Sequence, residues 1–153
     1  MSTLRLFRVV HESSRAKPLE AFKSPARYHL TSDEASQSSY LALDKTTCMA
    51  EVVYHLGGTV KLRNLIALGF EIDIEAVVDL TDKRELKRHR ATTEQLTGDD
   101  HSLPQDLARR LRRDKVQALI VPSGRDSKGR NVVLFLENIN KKAIRKIREQ
   151  KIE

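Results

Sequence analysis

The segment Ala118-Leu119-Ile120-Val121-Pro122-Ser123-Gly124-Arg125 decides how we interpret the rest of this 153-residue chain. Its first four residues form an uninterrupted apolar run, which is typical of a strand that is buried on both faces. Pro122 and Gly124 end that run, and the polar residues 126–130 are predicted to form a turn. Apolar residues 131–136 then return as a second strand, so the segment predicts a buried β-hairpin.

Strands dominate the remaining pattern and helices lie between them, which predicts the α+β fold class. A polar stretch over 11–39 contains two prolines and is predicted to be a long functional loop. Asp44 or a threonine after it should cap the helix that follows the second strand, and Gly57-Gly58 should end that helix. We expect a single domain over 1–153 with its core at about 4–138. The predicted strands are 4–10, 38–44 and two or three within 61–80; the predicted helices are 46–56, 83–90, 103–113 and a basic helix at about 140–150.

The formal net charge of +7 suits an anionic partner, such as nucleic acid, an acidic protein or a phosphate-bearing small molecule. Two clusters hold most of this charge, namely 83–90 with 109–113, and the tail 141–151. Both clusters are typical of solvated helix faces. Only 5% of the residues are aromatic, so the charge alone does not indicate a nucleic-acid-binding protein.

The residues that most often form metal or nucleophilic sites are sparse. Cys48 is the single cysteine, and the five histidines are scattered, so we expect no metal site and no internal disulfide. The opening residues 1–5 contain no apolar signal segment, and the apolar runs are too short to span a bilayer. We therefore expect a cytoplasmic protein without a membrane segment.

Three polar residues lie within otherwise apolar elements. Arg8 interrupts the first strand, Glu51 lies within the helix at 46–56, and Ser123 follows the buried strand of the hairpin. Such breaks in a local pattern often mark functional sites. Taken singly, each also fits a structural interpretation, as an edge-strand arginine, an exposed helix glutamate and a turn serine.

Four segments of the chain together resemble the RES domain family. Leu6-Phe7-Arg8-Val9 resembles the opening strand of the family with its arginine. Ala26-Arg27-Tyr28 resembles its Gly-Arg-Trp element, with Ala26 where glycine is usual and Tyr28 where tryptophan is usual.

The other two segments are the more specific ones. Tyr40-Leu41-Ala42, followed by Ala50-Glu51, resembles the family's tyrosine strand and glutamate helix. The hairpin segments 118–125 and 131–135 resemble its serine motif and the strand after it. The resemblance spans about 4–138, and arginine, glutamate and serine, which give the family its name, occur in that order.

The resemblance implies a fold similar to the diphtheria-toxin-like ADP-ribosyltransferases, with mixed or antiparallel split sheets and flanking helices. It implies the toxin of a type II toxin–antitoxin pair. NAD would be consumed as substrate, without a metal, by hydrolysis or phosphorolysis of the nicotinamide–ribose bond or by transfer of ADP-ribose to a protein. The implied partner is a helix-turn-helix antitoxin of the Xre type, through which any contact with nucleic acid would be indirect. A homodimer is left open.

The resemblance also assigns substrate-binding residues whose chemistry suits NAD. Arg8 and Arg27 offer planar forks of donors to a pyrophosphate. Tyr28 and Tyr40 are expected to stack on the nicotinamide or adenine ring. Ser123 is expected to donate a hydrogen bond to the nicotinamide amide or to a ribose oxygen.

The implied catalytic set is Glu51 with Arg8 and Arg27. The Glu51 carboxylate could hold a ribose hydroxyl, stabilise positive charge on the ribose or take a proton from the acceptor. Two alternatives remain open at this stage. One is a basic nucleic-acid-binding or ribonuclease-like toxin, and the other is a non-catalytic interaction module.

Overall fold

A computed structural model describes residues 2–19, 26–28, 37–55, 64–124 and 128–152, with residues 51–55 described by their backbone. The strands are β1 (Ser2–His11), β2 (Ser38–Ala42), β3 (Leu65–Ile74), β4 (Val77–Asp79), β5 (Ala118–Pro122), β6 (Arg130–Phe135) and β7 (Ile144–Ile152). The helices are α1 (Lys45–His55), α2 (Lys83–Arg88), α3 (Thr93–Thr97) and α4 (Ser102–Arg113).

The strands form one mixed sheet in the order β4-β5-β6-β2-β1-β3-β7. β4 and β5 are parallel, and the other neighbouring pairs are antiparallel. The predicted hairpin is confirmed as β5 and β6, with Leu119 opposite Val133. β6 also pairs with β2, so the hairpin lies inside the sheet rather than at its edge.

Within the sheet, β1 and β2 meet along a short seam. Their register contains the single pair Phe7–Ala42, whereas β1 and β3 are paired from Ser2–Ile74 to His11–Leu65. The sheet is therefore nearly divided into a β4-β5-β6-β2 half and a β1-β3-β7 half. This arrangement confirms the expected α+β class and agrees with the expected split sheets.

Two apolar cores cover opposite faces of the sheet, because successive side chains of a strand point to opposite faces. The inner core joins the two half-sheets through residues such as Leu6, Leu41, Phe70 and Leu134. The helical core packs α3 and α4 against the other face of β5 and β6, and its buried members are Tyr28, Leu80, Ala91, Leu96, Leu107, Ala108, Leu111, Leu119, Val121, Val133 and Phe135.

Capping side chains mark the starts of α1, α2 and α3. Asp44 accepts a hydrogen bond from the Thr47 backbone N–H at 2.7 Å, which confirms it as the cap of α1. The short helix α3 was not predicted, although Thr92 and Gln95 form a reciprocal capping box at its start. That Thr-x-x-Gln pattern is the sequence signal that could have located it.

The predicted basic helix at about 140–150 is wrong. Residues Lys141–Ala143 form a short 3-10 turn, and β7 then pairs along β3 as the edge strand. The register shifts between Gly69 and Phe70, where Ile147 is the extra residue of a β-bulge. Most of β7 is exposed on both sides, so its sequence lacks the alternation that identifies a strand. Pairing with the open edge of β3 therefore overrides the local preference for helix.

Candidate active site around Arg27 and Tyr40

The segment 26–28 is held against α3 and α4. The Gln105 side-chain amide donates a hydrogen bond to the Ala26 carbonyl at 2.8 Å. The Arg27 guanidinium donates to the carbonyl of Gly98, the residue that ends α3. The Tyr28 side chain is 3% exposed and belongs to the helical core. The segment is thus anchored by its backbone, its guanidinium and its aromatic ring.

Tyr40 approaches the same segment from β2. Burial raises the pKa of the Tyr40 hydroxyl, while a hydrogen bond with the Tyr28 backbone and the charges of Arg112 and Arg27 act in the opposite direction. These effects place Tyr40 beside both predicted residues of the segment. Burial likewise raises the pKa of the Tyr28 hydroxyl, so both phenols, which are neutral near neutral pH in any case, stay neutral further into the basic range.

The charge of Arg27 has little compensation from the described residues. Arg27 is half-buried, and its guanidinium contacts a neutral carbonyl. In the part of the chain that the structure describes, no carboxylate forms an ion pair with Arg27. A partly desolvated guanidinium without a carboxylate is suited to bind an anion from solution.

Ser123 lies next to this region. Ser123 is 6% exposed, and its backbone N–H donates to the Gly129 carbonyl at 3.1 Å across the hairpin. A side chain at the following residue, Gly124, would contact the Thr97 carbonyl at 3.9 Å. Thr97 directly precedes the Gly98 carbonyl that Arg27 binds, so the end of β5 meets the end of α3.

Arg8 occupies the other face of the sheet. Its neighbours Leu6 and Val10 pack with the inner core, and Arg8 shares their side of β1. The guanidinium donates to the Ser39 hydroxyl at 2.6 Å and to the Pro18 carbonyl at 3.1 Å. Ser39 and Tyr40 are consecutive residues of β2, so their side chains point to opposite faces of the strand. Arg8, which binds Ser39, and the segment 26–28, which lies beside Tyr40, are therefore on opposite faces of β2.

The position of Glu51 follows from the course of α1, which packs against β1, β2 and β6. Thr47 lies one helical turn before Glu51 and is fully buried, and Cys48 is buried as well. The predicted apolar face began at Met49, which is only half-buried. The side chains of 51–55 lie outside the described residues, as does Leu56.

The structure therefore groups the predicted residues unevenly. Arg27, Tyr28 and Tyr40 lie together, Ser123 lies at the adjoining end of β5, and Arg8 is separated from them by the sheet. The Tyr28 hydroxyl has no hydrogen-bond partner among the described residues. The burial of the Tyr28 ring departs from the expectation that this ring is exposed for stacking. Its hydroxyl donor faces the interior of the protein.

Two residues of α4 were missed by the sequence analysis as parts of this region. Gln105 was not singled out, and Arg112 was counted among the solvated basic residues. The Arg112 side chain is only 11% exposed; it pairs with Glu137 at 3.3 Å and donates to the Ser38 hydroxyl. Its guanidinium also lies 4.5 Å from the centre of the Phe135 ring. The two residues are seven positions apart, so they lie on one side of the helix, which could have indicated them.

The described residues offer neither a metal-ligand cluster nor a membrane-spanning helix. They contain no group of three or more histidine, cysteine, aspartate or glutamate side chains arranged to hold a metal ion. Their helices are also too short or too polar for any of them to cross a membrane.

Comparison with known proteins identifies the family. A model of the RES domain matches residues 5–151, and this chain therefore belongs to the RES domain family. The fold is similar to a chain in the crystal structure of the M. tuberculosis MbcT–MbcA toxin–antitoxin complex, with a TM-score of 0.82 and 18% sequence identity. That match covers 99% of this chain and 85% of the other. No curated protein sequence matches this chain.

Proposed function

We propose that this chain is the toxin of a type II toxin–antitoxin pair and that it consumes NAD by cleaving the nicotinamide–ribose bond. The cleavage would proceed by hydrolysis or phosphorolysis, or by transfer of ADP-ribose to a protein. The observation that carries the proposal is the half-buried Arg27, without a carboxylate partner in the described chain and beside two neutral tyrosines, in a member of the RES domain family.

Arg27 and Arg8 are proposed to bind the NAD pyrophosphate. A guanidinium has five N–H donors in a planar fork, so one bond to a backbone carbonyl leaves donors for phosphate oxygens. Arg27 and Arg8 approach from opposite faces of β2. In this proposal the two phosphates therefore lie at the end of β2, where the strand no longer separates the two guanidinium groups. Tyr40 and Tyr28 would shape the wall of the pocket next to Arg27, and Ser123 would bind the nicotinamide amide or a ribose oxygen.

Glu51 is proposed to act on the reacting ribose. As the glycosidic bond breaks, its electron pair leaves with the nicotinamide nitrogen, and positive charge develops on the ribose. A carboxylate nearby stabilises that charge, holds a ribose hydroxyl or accepts the proton of the oxygen that attacks the anomeric carbon. This chemistry requires no metal.

The proposed partner is an antitoxin of the Xre type with a helix-turn-helix region. The structural neighbour comes from a toxin–antitoxin complex, and the net charge of +7 favours an acidic partner surface. The complex should therefore associate more slowly as the salt concentration rises. Association rates that do not depend on salt would contradict this charge-based choice of partner. We place the pair in the cytoplasm, where NAD is available.

The decisive experiment incubates the purified chain with NAD, with and without phosphate, and separates the products by chromatography. The proposal predicts release of nicotinamide, with ADP-ribose, its phosphorylated form or a labelled protein as the second product. The Glu51→Gln variant serves as the matched control for contaminating activity. An intact NAD pool, together with RNA binding that weakens steeply with salt, would instead favour a nucleic-acid-binding toxin.

A further inference from the structure

Gln105 connects α4 with the segment 26–28, which contains the proposed phosphate-binding Arg27. It is half-buried on α4, and its side-chain amide donates to the Ala26 carbonyl at 2.8 Å. The Ala26 carbonyl is part of the peptide bond that leads directly into Arg27. A bond at this position fixes the backbone from which the Arg27 side chain extends.

The other two anchors of the segment differ from this one. The contact between Arg27 and the Gly98 carbonyl involves the same guanidinium that is proposed to bind phosphate, so this anchor is not independent of phosphate binding. The Tyr28 ring is fixed by apolar packing and by the approach of Tyr40. The Gln105 bond involves neither the guanidinium nor the ring, so it persists when Arg27 turns to an anion.

We infer that Gln105 is a positioning residue for Arg27, holding the Arg27 backbone so that its guanidinium meets the NAD pyrophosphate without a further ordering cost. This inference rests on the proposed function of Arg27. A held arginine binds substrate more tightly because less conformational entropy is lost on binding. Gln105 does not touch the reacting bond, so its contribution belongs to substrate binding and not to the chemical step.

The test compares Gln105→Glu and Gln105→Met with a matched control on the same fold. Glutamate keeps the size of glutamine but loses the N–H donor, and methionine removes the donor without adding charge beside Arg27. The control is Gln117→Glu, because the Gln117 amide donates in the same way to the Asn138 carbonyl at 3.1 Å, away from the segment 26–28. The readouts are KM and kcat for NAD, thermal unfolding, and hydrogen exchange of the amides of 26–28.

We expect both Gln105 variants to raise KM for NAD on the order of tenfold, the loss of about one hydrogen bond, while kcat changes by less than about threefold. The hydrogen exchange of the 26–28 amides should become faster in the same variants in which KM rises. Gln117→Glu should destabilise the protein to a similar extent and leave KM unchanged. An unchanged KM in both Gln105 variants, or an equal rise of KM in Gln117→Glu, would overturn the inference and leave the proposed function standing. A wild-type chain that neither binds nor consumes NAD would overturn both.

Discussion

Arg27 and Arg112 both lie near Tyr40, but their charges have different partners within the described residues. Both charges act to lower the pKa of Tyr40 against the effect of burial, so both are close to the phenol. Arg112 pairs with the Glu137 carboxylate, donates to Ser38 and lies over Phe135. Arg27 contacts the Gly98 carbonyl and, among the described residues, no carboxylate.

The difference separates a structural arginine from one that we propose to bind an anion, on physical grounds. A buried guanidinium that already has a carboxylate, a hydroxyl and an aromatic ring gains little from a further anion. A half-buried guanidinium on a neutral carbonyl still gains a charge-assisted bond when phosphate arrives. Loss of Arg112 should therefore lower stability, whereas loss of Arg27 should weaken ligand binding.

The largest expected effect is that of Glu51→Gln, a change outside both arginine regions. This variant tests whether the chemical step depends on a residue other than the two arginines. Glu51→Gln keeps the size of the side chain and removes the charge, so NAD turnover should fall about a hundredfold or more. NAD binding by calorimetry should stay within about a few-fold, because the carboxylate is proposed to act on the breaking bond and not on the bound ground state. Turnover near the wild-type rate would contradict the catalytic role of α1.

Arg27→Ala tests the binding side of the comparison. The loss of a charge-assisted phosphate contact of about 1.5–3 kcal/mol should weaken NAD binding by roughly tenfold to a hundredfold. The melting temperature should stay within about 2 °C, since the Tyr28 ring and the Gln105 bond still hold the segment. Normal NAD affinity, or a variant that does not fold, would refute this assignment.

Arg112→Met tests the structural side. Methionine keeps the apolar contact with Phe135 but removes the guanidinium that pairs with Glu137 and donates to Ser38, so the free energy of unfolding should fall by about 2 kcal/mol. Urea denaturation measures this change. The control is Arg109→Met on the same helix, where the pair with Asp106 is exposed and the change should stay within about 0.5 kcal/mol. Equal losses in the two variants would remove the distinction between the arginines.

A third arginine, Arg145, pairs with Asp73 near the surface, and here we expect the smallest effect on stability. The hydrogen bonds from Arg145 and Thr3 lower the pKa of the partly exposed Asp73 from 3.8 to about 2. A carboxyl with a lowered folded-state pKa stabilises the fold above its unfolded value, and this contribution is lost as the pH falls from about 4 to about 2. The wild type should thus lose slightly more stability over that window than Asp73→Asn, measured by denaturant midpoints at both ends. Equal changes in the denaturant midpoints of the wild type and Asp73→Asn would show that the Arg145–Asp73 pair contributes nothing to stability.

The parts of the fold that the sequence predicted are those where one local signal dominates. The apolar run 118–121 and the return strand 131–135 give the hairpin, and Asp44 before a helical pattern gives the start of α1. β7 could not be predicted, because the bulge at Ile147 and exposure on both sides remove the strand pattern. Its pairing depends on β3, which lies far away in the sequence.

The candidate site was predictable where the residue type itself indicates chemistry. Arg27 and Tyr40 were selected by their types and their motifs, and the structure brings them together. Gln105 and Arg112 were not, because a glutamine or an arginine on a polar helix carries no local sign of its partner. Their roles follow only from the contacts of α4 with Ala26 and Ser38, which are 79 and 74 residues away in the chain.

The seam between β1 and β2 has a consequence for cooperative unfolding. One ladder pair, Phe7–Ala42, joins the two half-sheets, and a single backbone pair contributes only about 1 kcal/mol. The rest of the coupling comes from the Arg8–Ser39 hydrogen bond, from α1, which packs against both β1 and β2, and from side chains such as Leu6 and Leu41 in the inner core. A cavity made there should divide the protein into two units that open separately, each with its own protection against hydrogen exchange. Arg8 and Tyr40 lie on strands from different units, so separation of the halves would dismantle the proposed site before either half unfolds.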